Sequence, residues 1–195
     1  MNRADVVRAQ RKGARMFLAS LALTLLLATP AAGMISVASA ADANLEYKVK
    51  AAFLFNFARF VTWPVNKFEA PDSAIEICVL GSDPFDGVLD ETVEGKTISS
   101  RPLHVRRAQK PDELRRCHIV YVGESDPARL PAQLSALSGH GVLTVHEGAD
   151  TQPAGVVRFL IEDDRVRFEI NTAAAARENL QLSAKLLGVA HVVLK

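Results

Sequence analysis

Two cysteines in 195 residues are too few for a disulfide-framework miniprotein or a zinc site built from four thiolates. Charge of one sign is also missing. The 23 basic and 22 acidic residues leave a formal charge of +1, which removes the usual electrostatic case for a nucleic-acid partner. No uncharged apolar run of about 18 residues follows residue 40, so the body of the chain lacks the signature of a membrane-spanning helix. Neither a dinucleotide-binding G-x-G-x-x-G nor a P-loop occurs. There is no G-x-S-x-G elbow, and the five histidines show no i, i+4 pair. These absences give no expectation of a catalytic residue, a cofactor or a metal site, and none of an enzyme. With 49% hydrophobic and 23% charged residues, what remains is a globular domain.

The first forty residues read as an export signal. Arg3, Arg8, Arg11, Lys12 and Arg15 form a basic region, and Phe17 to Ala28 is apolar. Ala38-Ser39-Ala40 then offers the small-x-small pattern of a cleavage site. Residues 1–40 hold five of the basic and one of the acidic residues, so the remainder carries a charge of −3. That disfavours nucleic acid or anionic lipid as a partner. In an oxidising compartment Cys78 and Cys117 are expected to form a disulfide, with two buried free thiols as the alternative.

Residues 41–195 read as one domain without a linker. Asn44 to Trp63 reads as a helix stopped by Pro64. Ile75 to Leu80 and Cys117 to Val122 are short apolar runs that suit buried parallel strands. Each is followed by glycine and by Ser-Asp-Pro, at 82–84 and 125–127, a pattern that can open a helix. Leu103 to Val105, Val142 to Val145 and Pro153 to Ile161 are further strand candidates. Arg165 to Ile170 alternates as a half-exposed strand does, and Asn171 or Thr172 caps a final helix reaching Leu187. The pattern predicts an α/β fold with a mixed, mostly parallel sheet of about five to six strands flanked by helices. An antiparallel hairpin and a helix close it.

The first helix is apolar nearly all round. Phe53, Phe55, Phe57 and Phe60 cannot all face one core, because successive residues lie about 100° apart. The helix is either central to the core or covered in part by another chain, through a homodimer or a partner contact. A second possibility is a small-ligand sensor binding an anion at the helix starts after Gly81 and Gly123.

The stretch Glu46 to Pro64, with Lys50-Ala-Ala-Phe-Leu-Phe-Asn-Phe-Ala-Arg-Phe-Val-Thr-Trp-Pro64 at its core, resembles the opening of the YfiR family. So do Ile77 to Gly81, Cys117 to Val122, Val142 to Val145, Arg167 to Asn171 and Leu182 to Leu187, which extends the resemblance over about residues 45–190. It implies a periplasmic protein that restrains an inner-membrane diguanylate cyclase through the cyclase's periplasmic sensory domain. Cyclic-di-GMP signalling and biofilm formation would fall as a result. Cys78 and Cys117 fall on the family's recurring cysteine pair, which favours the disulfide. One departure is Ala154-Gly155 where many members carry Gly-Gly.

Overall fold

The computed structural model describes residues 36–123, 126–148 and 155–195, with side chains from Asn44 onward. The chain divides into Met1–Ala40 and Ala41–Lys195. Apart from the backbone of its last five residues, the expected export signal lies outside the described residues, as do Ser125 and Ala154.

Helix α1 (Ser36–Phe60) runs into β1 (Val61–Thr62), and the chain then enters β2 (Ile75–Gly81). After α2 (Val88–Val93) come β3 (Thr97–Ile98), β4 (Arg101–Ala108) and β5 (Ile119–Gly123). Helix α3 (Leu130–Leu137) precedes β6 (Leu143–Glu147), β7 (Val157–Glu162) and β8 (Arg165–Asn171). The chain closes with α4 (Thr172–Arg177), β9 (Gln181–Leu182), α5 (Ala184–Val189) and β10 (Val192–Leu194).

Eight strands form one sheet in the order β10-β8-β7-β6-β5-β2-β4-β3. Only β7–β8 and β3–β4 are antiparallel among its pairs. The two apolar runs lie at its centre, with Ile77 opposite Ile119 and Gly81 opposite Gly123. They are buried on both faces, which is why their sequences show no alternation. On one face Ile75, Ile77, Val79, Ile119 and Tyr121 join the core under α1; on the other, Cys78, Leu80, Val120 and Val122 meet α3.

The class is the expected one, a single α/β domain with a mostly parallel sheet and a hairpin. The sheet has eight strands rather than five or six. Where described, at Ser82-Asp83-Pro84 and Asp126-Pro127, the Ser-Asp-Pro segments lead into turns rather than starting helices. Asp83 Oδ1 accepts the Phe85 N–H at 2.9 Å, and Asp126 Oδ1 accepts that of Ala128 at 3.0 Å. The helices begin later, at Val88 and Leu130. Asn171 caps α4 as expected, its Oδ1 accepting the Ala174 N–H at 2.8 Å. The final helix does not continue to Leu187, however. It stops at Arg177, because the buried Glu178 turns its carboxylate to the backbone N–H groups of Gly139 (2.7 Å) and Gly141 (2.8 Å). Asn179 follows in the left-handed region at φ 55. Gln181 and Leu182 then pair with Thr62 and Val61.

Candidate functional site

The aromatic residues of α1 face more than one direction, and the fold covers most of them. Phe57 is fully enclosed, with ring centroids 6.0 Å from Phe159 and 5.2 Å from Phe168. Phe53 is partly buried on the same rings, at 6.0 and 5.1 Å. Phe55 points elsewhere, and the Lys96 ammonium lies 4.8 Å from its ring centre. Phe60 is also partly buried, beside the Arg59 guanidinium. Of the four candidate interface residues, Phe57 is core, while Phe53, Phe55 and Phe60 keep some exposed surface. A groove also lies beside the middle of the helix, where Leu45 and Val49 line a space of about 560 Å³ with Ile161 and Val166 of the hairpin, rimmed by Glu46, Asp164 and Arg165.

Lys50 fixes α1 to the sheet. Its side chain is 1% exposed and its ammonium lies 2.6 Å from Glu147 Oε2, with Glu46 as a second carboxylate partner. The Tyr121 hydroxyl donates to Glu147 as well. Burial first, then the Glu147 carboxylate, pushes the Tyr121 phenol far up, so it stays protonated and remains a donor. At the other end of the helix Trp63 Nε1 donates to the His118 carbonyl at 3.1 Å. A buried charge removed from water needs such partners, and breaking one side of the set leaves it uncompensated.

Cys78 and Cys117 form a disulfide across 39 residues, with Cα atoms 6.2 Å apart. Cys78 stands on β2, and Cys117 lies just ahead of β5. Both are fully buried among Leu80, Leu114, Val120 and Leu137.

Residues 47–191 match the family described as YfiR/HmsC-like. The chain belongs to the YfiR/HmsC-like family. No curated protein matches it. Among solved structures, it is similar to the ABC domain in complex with L-Trp from Streptococcus pneumonia, at 10% identity with a TM-score of 0.45. That match covers 76% of this chain and 60% of the other chain's length. The family's opening motif has a visible physical basis here. Its lysine is the buried Lys50, its phenylalanines Phe53 and Phe57 pack against Phe159 and Phe168 of the hairpin, Phe55 lies beside Lys96 between α2 and β3, and its tryptophan bonds to His118 just ahead of β5.

In this YfiR/HmsC-like chain the helix starts after Gly81 and Gly123 make a poor anion site. The adjoining cleft, of about 200 Å³, is lined by Tyr47, Ser82, Tyr121, Leu130 and Glu147, and its ionised group is a carboxylate. Gly123 has a packing reason, since a Cβ there would lie 1.8 Å from the Ser82 carbonyl oxygen. A more basic cleft lies at the opposite ends of the same strands, around His118. Sequence reading missed it because its residues come from four separate segments. The available signal was a histidine placed at the mouth of an otherwise apolar strand.

Proposed function

We propose that this protein is an exported regulator that binds and inhibits the periplasmic sensory domain of an inner-membrane diguanylate cyclase, lowering cyclic-di-GMP signalling. The observation that carries this reading is the YfiR/HmsC-like match across residues 47–191. Two features support it. The disulfide suits an oxidising compartment, and among the described residues no helix is long and apolar enough to cross a membrane. We place the inhibitory contact, or a homodimer contact, on the part of α1 that the domain leaves open: Phe55 and Phe60, with Phe53 at the margin. A charge at Phe55 is tolerated by a domain that does not bury it fully, yet it desolvates badly in an interface.

The test compares Phe55→Glu with wild type in cells that carry the cyclase. The variant is expected to stay folded, within about 1 kcal/mol of wild type, while cyclic-di-GMP rises and the complex no longer co-purifies from solubilised membranes. Unchanged cyclic-di-GMP on deleting the whole protein removes the regulatory reading. Full repression by Phe55→Glu moves the interface away from α1.

A further inference from the structure

At the N-terminal ends of β2 and β5 a cleft of about 570 Å³ opens, within the range of small-molecule sites. Its lining includes Glu76, His104, Arg106, Arg115, Arg116 and His118. His118 is 3% exposed, and its Nδ1 accepts the Glu76 N–H at 3.0 Å. A neutral imidazole that accepts at Nδ1 carries its proton on Nε2. That Nε2 is buried and has no hydrogen-bond partner among the described residues.

The ring cannot turn to find a partner. Phe68 stacks on it at 4.5 Å, and Trp63 meets it edge-on at 5.4 Å. A second orphan lies in the same cleft. Glu76 Oε2 is buried without a partner, while Oε1 sits 3.4 Å from His104 Nδ1. An unsatisfied buried polar atom is unfavourable, so two of opposite character in one cleft call for an explanation. Lys67 does not supply it. Its ammonium is used on the carbonyls of Arg115 (2.9 Å) and His140 (2.6 Å), where it closes the cleft wall.

We propose that this cleft binds a small organic oxyanion that also carries a hydroxyl group. The oxyanion accepts from His118 Nε2–H and is drawn by Arg106 and its arginine neighbours; the hydroxyl donates to Glu76 Oε2. An anion without a donor would leave the Glu76 oxygen bare and repelled. A neutral polyol would make no use of the Arg106 charge; Arg115 and Arg116 already pair with Asp112 (2.7 Å) and Glu69 (2.6 Å). Hydroxy-carboxylates and hydroxylated phosphates share the required chemistry.

Titration calorimetry of the purified protein with citrate, glycerol 3-phosphate and sulfate tests the site without any cyclase present. Failure here therefore leaves the regulatory reading intact. At least one of the two hydroxylated probes is expected to bind saturably, and which one does separates carboxylate from phosphate ligands. Sulfate should bind about tenfold more weakly or not at all. His118→Asn keeps an acceptor near the Nδ1 position and removes Nε2, so it should weaken binding by about tenfold or more. Arg106→Glu, an exposed position, gives the same loss in a variant that has no packing to disturb. No saturable binding of either probe up to about 10 mM, or unchanged binding in Arg106→Glu, overturns the site. Sulfate binding as tightly as the hydroxylated probes overturns the hydroxyl.

Discussion

On the face of the sheet that carries α1, the rings of Phe53 and Phe57 lie within 6.2 Å of each other and of Phe159 and Phe168, with Trp63, Phe85 and Tyr121 in the same cluster. The opposite face has no aromatic side chain in its buried cluster among the described residues. There Leu80, Leu114, Val122, Leu134 and Leu137 surround the Cys78–Cys117 bridge under the eight-residue α3. Further along that second face the pattern turns polar, with Arg158 Nε 2.9 Å from Glu169 Oε2 and Thr144 accepting the Val156 N–H at 3.0 Å. The difference shows two ways to hold one sheet. A large aromatic side chain buries about 150–250 Å², so the first face is held mainly by area, with the Lys50–Glu147 pair beside it. The second has a small cap and a short apolar strip, and a covalent link makes up what area does not provide. By the chain-entropy account a loop of this length gives roughly 4 kcal/mol.

Substitutions on the two faces should therefore fail differently. Phe57→Glu places a charge in the aromatic cluster and should abolish folding, read as loss of near-ultraviolet circular dichroism and of a cooperative thermal transition. A folded Phe57→Glu domain would mean that the face has room the packing does not show. On the other face, the double variant Cys78→Ser/Cys117→Ser should lose about 2–5 kcal/mol relative to wild type in urea unfolding while staying folded. A loss as complete as that from Phe57→Glu would show that the bridge organises its face rather than reinforcing it.

His118 sits at the edge both faces share, between Cys117 of one cluster and Ile119 of the other. Burial, helped by Lys67 and Arg101, lowers its pKa to about 4, so the imidazole is neutral in the fold. The unfolded chain, titrating near 6.5, then binds more protons below that pH. The stability this group contributes is full above about pH 6.5 and is lost as pH falls through the window from 6.5 to about 4. A decline of roughly 3 kcal/mol across that window is expected in wild type and should be absent in His118→Asn. Equal declines in both proteins would assign the acid sensitivity to other groups. The smallest effect belongs to the cap outside both clusters: Asn171→Ala should cost about 1 kcal/mol, measured by thermal unfolding.

The parts of this fold that read directly from sequence are those settled within a few residues. The apolar runs at 75–80 and 117–122, the alternation in 165–170 and the cap at Asn171 each carry their own local cause. What did not read depends on partners far along the chain. The end of α4 is set by where the Glu178 carboxylate finds Gly139 and Gly141, and nothing in the alanine-rich segment itself forecasts that stop. Strand β10 forms because Val192 to Leu194 meets Glu169 to Asn171, and such a short run has no period to detect. The candidate site divides in the same way. An all-round apolar helix was legible in α1, but which of its phenylalanines lies inside was decided by Phe159 and Phe168. The basic cleft was not legible, since it is assembled by Lys67, Glu76, Arg106 and His118 from separate segments.

The pairing of Val61–Thr62 with Gln181–Leu182 also governs the order of events during folding. It joins stretches about 120 residues apart, and the Ser183 N–H closes onto the Phe60 carbonyl beside it at 3.0 Å. The Phe60 carbonyl at the end of α1 therefore waits for the last tenth of the chain before it finds this partner. Contacts this far apart in sequence slow folding, because loop closure is unfavourable until the final pairing rewards it. A chain fed through a translocation pore from its amino end would thus remain loose and threadable for most of its passage. It would set only once its carboxyl-terminal segment had emerged.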